Sequence, residues 1–206
     1  FPEKPESIDI SRAIVRETTR ETAEKIILEY EWLGTMGTTD RYWGIFFDGF
    51  CGGVVCYGMF QSPVGYGNYV GERFADMGKQ LSRGACVHWA HEHSGSKLIA
   101  KSLRVLSGEG YKYVIAFSDD EAGEIGTLYQ ATNWFYLGKR TDTTTDFSIL
   151  YKGTERIFCD CRDLTRKLGF RTIKQAESFI INNPHLYLKP IKPKARYMRL
   201  LGNKKE

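Results

Sequence analysis

The stretch IAFSDDEAGEIGTLYQATNW, residues 115–134, gathers several kinds of chemistry in a short span. An apolar run ends in Ser118, Asp119 and Asp120. Gly123 and Gly126 follow, and Tyr129 stands ten positions beyond Asp119. In open α/β sheets, ligands bind outside the carboxyl ends of the strands, so a carboxylate there can accept a proton from an amine nucleophile. Tyr129 is the complementary group, because a phenol with a reference pKa near ~10 stays protonated at neutral pH and can act as an acid. A strand end, a tight glycine loop and a helix would bring Ser118, Asp119 and Tyr129 to one cleft. The plainer alternatives are a turn cap for Asp119 or Asp120 and a core aromatic for Tyr129.

Two further segments carry polar chemistry. In VHWAHEHSGSK, Gly95 and Ser96 open a helix after a strand, where free backbone N–H groups and the helix dipole suit a pyrophosphate. His93, Ser94 and Lys97 flank that turn, although Ser94 would serve equally as a helix cap. His88, His91 and His93 are three of the chain's four histidines. Metal binding, anion contacts and structural roles all remain open for them. In EYEWLGTMG, the residues Glu29, Tyr30, Glu31 and Trp32 cannot all face a core. Tyr30 or Glu31 is expected to meet an acceptor, and Trp32 to pack.

The elements that must position these groups follow from periodicity. IDISRAIVRE alternates as a strand, and TTRETAEKIILEYEWLG reads as an amphipathic helix with Thr18 and Glu21 at capping-box spacing and Gly34 as the stop. Two aromatic and β-branched runs around Asp48-Gly49 predict a hairpin. Residues 62–71 read as a loop. KQLSRGACVHWA reads as a strand and SGSKLIAKSLRVLSGEG as a helix ending at Gly108 or Gly110. YKYVIAFSD reads as a strand buried on both faces, and AGEIGTLYQATNWFYLG as a loop and a short helix. DFSILYKG is a strand, RDLTRKLGFRTIKQAESFIINNPHL is mostly helical, and ARYMRLLG is a final strand. That order makes a mixed α/β domain.

Composition sets the bounds. The chain has 206 residues, 42% of them hydrophobic, which is enough for a substantial core. No apolar run reaches the ~18 residues of a membrane span, and FPEKPESIDI lacks a secretory layout, so a cytoplasmic location is expected. Five irregularly spaced cysteines suit reduced, partly buried thiols, and Cys159-Asp160-Cys161 lacks a second ligand pair for zinc. The net charge is +4, concentrated in a tail with Lys189, Lys192, Lys194, Arg196, Arg199, Lys204 and Lys205 against Glu206. Such a run is either a solvated terminus or a phosphate-binding surface built on Lys192, Lys194, Arg196 and Arg199.

The order of elements resembles the GNAT acyltransferase fold. VHWAHEHSGSKLIAKSL resembles its strand, phosphate-binding turn and helix. LYQATNW resembles its Tyr-x-x-x-Gly-aromatic helix, with Asn133-Trp134 at the last pair. Against the usual Arg/Gln-x-x-Gly-x-Gly/Ala turn, His93 stands at the first Gly and Ala90 at the basic position. LSRGACVHW, SKLIAKSL, the long run from Ile115 to Lys139 and the late KARY resemble one branch more closely, the Mom family of bacteriophages. The resemblance covers roughly residues 25 to 200.

It implies one GNAT-like domain over 1–206, with a mostly antiparallel sheet flanked by helices. The core would span 1–155, and a helical segment, closing strand and basic extension would span 156–206. It implies transfer of a small acyl-derived group to the exocyclic amine of adenine in phage DNA, which protects that DNA from restriction. Asp119, Tyr129, Ser118, Tyr30 and Glu31 would be catalytic. His93, Ser94, Gly95, Ser96, Lys97 and Asn133 would hold acetyl-CoA or a related acyl-CoA. Double-stranded DNA would be the partner, with monomer and homodimer both open, and Trp43 or Trp134 would stack on an exposed base. The competing readings are an N-acyltransferase acting on a protein, aminoacyl-tRNA or small amine, and a catalytically silent DNA-binding protein.

Overall fold

The computed structural model describes residues 4–60, 63–139, 149–152, 155–158, 169, 173–189 and 193–202. The chain forms two compact units. One comprises Phe1–Ser118, Glu124–Gly138 and Ala195–Glu206, and the other Asp119–Gly123 and Lys139–Lys194.

In the first unit β1 (Ile14–Glu17) leads to α1 (Arg20–Tyr30), β2 (Arg41–Phe47) and β3 (Phe50–Gly58). Then come α2 (Pro63–Val70), β4 (Gly78–Cys86), α3 (Ser94–Gly108) and β5 (Tyr113–Ser118). After the loop come α4 (Thr127–Ala131), β6 (Phe135–Lys139) and finally β10 (Ala195–Leu200). The sheet order is β1-β2-β3-β4-β5-β10-β6. All the pairings given for it are antiparallel except β4 with β5. This is the expected mixed, mostly antiparallel sheet.

The second unit contains β7 (Ile149–Lys152), β8 (Glu155–Phe158), α5 (Ile173–Ile181) and β9 (Leu186–Lys189). Its three strands form an antiparallel sheet in the order β8-β7-β9. Here β8 and β9 lie where no strand was expected. Cys159, Cys161 and Lys192 lie outside the described residues.

The hairpin expected at Asp48-Gly49 is present. Both residues take positive φ, 46° and 93°, as a two-residue turn with right-handed strand twist requires. Several boundaries differ from expectation. The strand expected from Ile8 starts only at Ile14, because Asp9 Oδ1 accepts from the backbone and hydroxyl of Ser11 and folds residues 9–12 into a turn. Thr19, not Thr18, caps α1, accepting from Thr22 N at 3.2 Å, and the helix ends at Tyr30, short of Gly34. Residues 63–70 are helical despite two glycines, because Tyr66 and Val70 share one helical face against Phe60, Tyr113, Ile115 and Met198. Tertiary burial there outweighs poor helix propensity. The run after Ala131 turns at Asn133, whose φ is +60°, and continues as strand β6, not as helix.

The two helices that matter most lie on opposite faces of the sheet. Ser102 of α3 hydrogen-bonds Tyr57 of β3 at 2.7 Å between hydroxyl oxygens. The neighbouring residue Cys56 points the other way, toward Arg20 and Glu31 of the α1 segment and Arg83 of β4.

Candidate active site

The sheet opens where β4 and β5 part. Their parallel pairing runs only from Gly78–Tyr113 to Leu81–Ala116. At the same point β4 carries an extra residue, Ser82, since Cys56 pairs with Arg83 and Tyr57 with Leu81. A bulge bends and twists its strand, so Arg83–Cys86 turn away from Phe117–Ser118. The strands therefore part beyond Leu81 and Ala116. Ser118 ends β5, and its buried hydroxyl has no hydrogen-bond partner among the described residues.

On the α1 face the chain supplies carboxylates, a guanidinium and aromatics. Glu31 is the C-cap of α1, and its side chain is only 9% exposed. Its Oε2 accepts from Leu33 N at 3.0 Å and lies 3.9 Å from Arg83 Nε. Burial holds the Glu31 carboxyl above its ordinary value, Arg83 pulls it down, and Glu124 adds to the rise. Arg83 is anchored in turn by Thr35, donating to its carbonyl at 2.6 Å and to its hydroxyl at 3.1 Å. Trp32 donates its indole N–H to Glu124 Oε1 at 2.9 Å. Tyr30 stacks against His88, with ring centroids 6.3 Å apart. Burial, with Glu29 beside it, raises the Tyr30 hydroxyl.

On the α3 face stands Tyr129. Burial pushes its phenol well above the ordinary value, and Glu124, Tyr57 and Tyr197 add to the shift. Glu124 thus adds to the upward shift of both Glu31 and Tyr129. The ring of Tyr129 packs on Tyr197 and Trp134 with centroids 4.9 Å and 5.1 Å away. Gly126 makes this possible. It has φ +74°, and a Cβ there would stand 2.1 Å from the Tyr197 hydroxyl.

Beside Tyr129, α3, α4 and the end of β10 enclose a cleft of about 500 Å³. Of the residues expected to hold a cofactor, His93, Ser96, Lys97 and Asn133 line it. Arg104 and Arg199 add positive charge, and among the described residues no acidic side chain lines it. At its helix end, the N–H groups of Ser96, which lines it, and of the adjacent Gly95, which does not, have no acceptor among the described residues, while Ser94 N and Lys97 N are used by His91 O and His93 O. Two free amides, a helix dipole and nearby cations fit a phosphate-bearing cofactor.

Two residues of the expected set do not line the cleft. Ser94 is fully buried and does not cap α3, whose N-cap is His93. Gly95 faces Leu128, whose methyl carbon would lie 3.2 Å from an added Cβ. The glycine therefore lets α3 and α4 approach closely. Among the described residues no group of three or more His, Cys, Asp and Glu side chains is arranged to hold a metal. His88 is exposed on Tyr30, and His91 Nδ1 accepts from the backbone of His93.

Asp119 belongs to the second unit. It directly follows β5, is buried, and lies 3.3 Å from Lys194 Nζ. Its backbone carbonyl accepts from Ala122 N in the turn that follows. Lys194 and Arg196, expected to bind phosphate, are both engaged by protein. Arg196 donates to Gly138 O and Leu137 O at 3.3 Å each and to the Tyr69 hydroxyl, and its guanidinium lies against the Tyr69 ring. Arg199 donates to Asn133 O. Trp43 and Trp134, expected as stacking platforms, are 1% and 7% exposed and belong to the core. Sequence reasoning missed Arg83 and Glu124. Only the long separation of Glu31, Arg83 and Glu124 hid them, since each is ordinary in its local sequence.

This architecture is that of the GNAT acetyltransferases. It resembles a GNAT family acetyltransferase from Elizabethkingia anophelis with acetyl-CoA bound, at TM-score 0.53 and 10% identity over 92% of this chain and 98% of that one. It also resembles a Bacillus subtilis acetyltransferase in complex with CoA, at 0.52 and 10% over 93% and 99%. The IAA acetyltransferase from Bacillus cereus ATCC 14579 gives 0.51 and 10% over 92% and 99%. Within that fold the chain belongs to the Mom protein family, whose sequence profile matches residues 12–205. No curated protein matches it in sequence. Among the described residues no helix is long and apolar enough to cross a membrane.

Proposed function

We propose that this protein is a transferase that moves a small acyl-derived group from an acyl-CoA to the exocyclic amine of adenine in DNA, with protection from host restriction as the outcome. The observation that carries the reading is the basic cleft along α3, lined by His93, Lys97, Arg104 and Arg199, in a chain of the Mom family. That cleft, with no acid among its described lining residues, suits an anionic donor, and the segment around Glu31, Trp32 and Glu124 offers carboxylates and an aromatic ring for a planar amine acceptor. Solved relatives in fold carry CoA or acetyl-CoA, which supports that donor class.

When bound, an acyl thioester supplies an electrophilic carbonyl and a thiol leaving group. The amine nitrogen attacks the carbonyl, a C–N bond forms, and the C–S bond breaks. Asp119 takes the amine proton, and Lys194 supplies its counter-charge. The hydroxyl of Tyr129 protonates the departing sulfur, since a phenol carries its proton at neutral pH, as an acid must. Adenine's amine is a weak nucleophile because its lone pair is delocalised into the ring, so proton removal as bonding develops contributes more than for an alkyl amine. Glu31 and Arg83 form the polar wall on the acceptor side.

The test is chemical. Purified protein, acyl-CoA and adenine-containing DNA are incubated, and the digested nucleosides are weighed by mass spectrometry. A mass-shifted adenosine that disappears with Asp119→Asn is expected. Unmodified DNA alongside acylation of a small amine or a protein would replace this reading with an ordinary N-acyltransferase.

A further inference from the structure

The four tryptophans divide sharply. Trp43, Trp89 and Trp134 are buried at 1%, 9% and 7% exposure, whereas Trp32 is 38% exposed. An exposed indole with no task would be free to turn, and ordering a side chain costs conformational entropy. Trp32 is instead fixed twice. Its backbone sits in the turn that ends α1, where Gly34 N donates to Glu31 O and Leu33 N donates to Glu31 Oε2, both at 3.0 Å. Its indole N–H donates to Glu124 Oε1 at 2.9 Å, a bond across 92 residues of sequence. The bond joins the α1 turn to the loop before α4. Glu31, which holds that turn, faces Arg83 at 3.9 Å, so the clamped indole sits beside the charged groups at the end of α1.

We infer that Trp32, held by Glu124, is the stacking platform for the heteroaromatic ring of the acceptor. This rests on the reading of the acceptor as a nucleobase and deepens it by naming the surface that receives the ring. A rigid indole that keeps part of its surface exposed beside a carboxylate-rich wall recognises a flat, electron-poor ring that carries an amine. Stacking tolerates any base, so adenine selectivity comes from the polar wall and not from Trp32. Glu124 is a positioning residue that acts through the indole.

The probe is a single-stranded oligonucleotide with one adenine, compared with the same strand carrying an abasic site at that position. Binding is followed by fluorescence anisotropy with no donor present. The wild-type protein should bind the adenine strand more tightly than the abasic strand. Trp32→Ala should weaken the adenine strand by about 5- to 150-fold, the range for losing one base–aromatic stack, and leave the abasic strand unchanged. Trp32→Phe should keep most of the preference. Trp32→Leu, which preserves apolar bulk without a ring, should lose it. Glu124→Gln, which still offers an oxygen to the indole, should keep more of the preference than Glu124→Ala. A Trp32→Leu protein with the full wild-type preference overturns the platform and leaves the nucleobase reading standing. A wild-type protein that does not distinguish the two strands removes the nucleobase reading, and the platform with it.

Discussion

The two faces of the sheet at the parting of β4 and β5 are built from opposite materials. The α1 face carries Glu31, Glu124, Trp32 and the guanidinium of Arg83, already committed to Thr35. The α3 face carries Lys97, Arg104 and Arg199 around a cleft with no acidic side chain among its described lining residues. A carboxylate-rich face suits an amine that must lose a proton, and an acid-free basic cleft suits a phosphate-bearing donor. Tyr129 is packed on Tyr197 and Trp134, and Glu124 adds to the rise of its phenol.

The comparison breaks first at Tyr129. Tyr129→Phe keeps the ring against Tyr197 and Trp134 but removes the acid, so transfer should fall by about 10² or more while thermal stability changes by less than about 2 kcal/mol. Nucleoside mass spectrometry and thermal melting measure the two effects. A variant that melts much lower would make Tyr129 a packing residue.

Arg196 separates fold from function. Losing its bonds to Leu137, Gly138 and Tyr69 should cost about 1.5–3 kcal/mol in Arg196→Ala, because hydrogen bonds from charged groups are worth that much. Chemical denaturation checks this. If stability is unchanged and DNA affinity drops with a flatter salt dependence, Arg196 belongs to a phosphate-binding surface instead. Binding tests that replace Lys194, Arg196 and Arg199 together mix the two effects.

Arg104 tests the donor face alone. It lies in the cleft and is exposed. Arg104→Glu should weaken acyl-CoA binding by about tenfold, roughly 1.4 kcal/mol, in calorimetry at low salt, and less at high salt where screening acts. Equal affinity in both proteins would move the donor phosphates elsewhere.

The smallest effect concerns Glu31. Its folded-state pKa lies above its ordinary value of 4.5, so the folded protein holds a proton that the unfolded chain releases first. Stability from this group is therefore greatest below 4.5 and declines as pH rises to the folded-state value. Melting temperatures of Glu31→Gln should lack that decline. The same slope in both proteins would acquit Glu31 as its source.

Much of this could be read locally. The Asp48-Gly49 hairpin, the buried run of β5, the extent of α3 and the strand at Ala195–Leu200 each depend on signals confined to a few neighbouring residues. The placing of His93, Ser96, Lys97 and Asn133 along one cleft was legible for the same reason, since the motifs around them carry their own turn and helix chemistry. The helix at 63–70 was not legible, because its glycines argue against a helix and only the aromatic patch beneath it decides otherwise.

The residue types at the site, the glycines that shape its loops and the basic tail were determined by the sequence alone, since local backbone preference and charge need no partner. The tertiary structure decided which of these groups meet. Glu31, Arg83 and Glu124 come from three distant segments. Trp32 remains exposed while Trp43 and Trp134 disappear into the core, and Arg196 turns from a tail cation into a tie between strands. Strand pairing and burial are non-local, so a side chain's final partner depends on chain that lies far away in sequence. That is why chemistry was visible from the residues, while its arrangement appeared only when β4 bulged at Ser82 and the sheet opened.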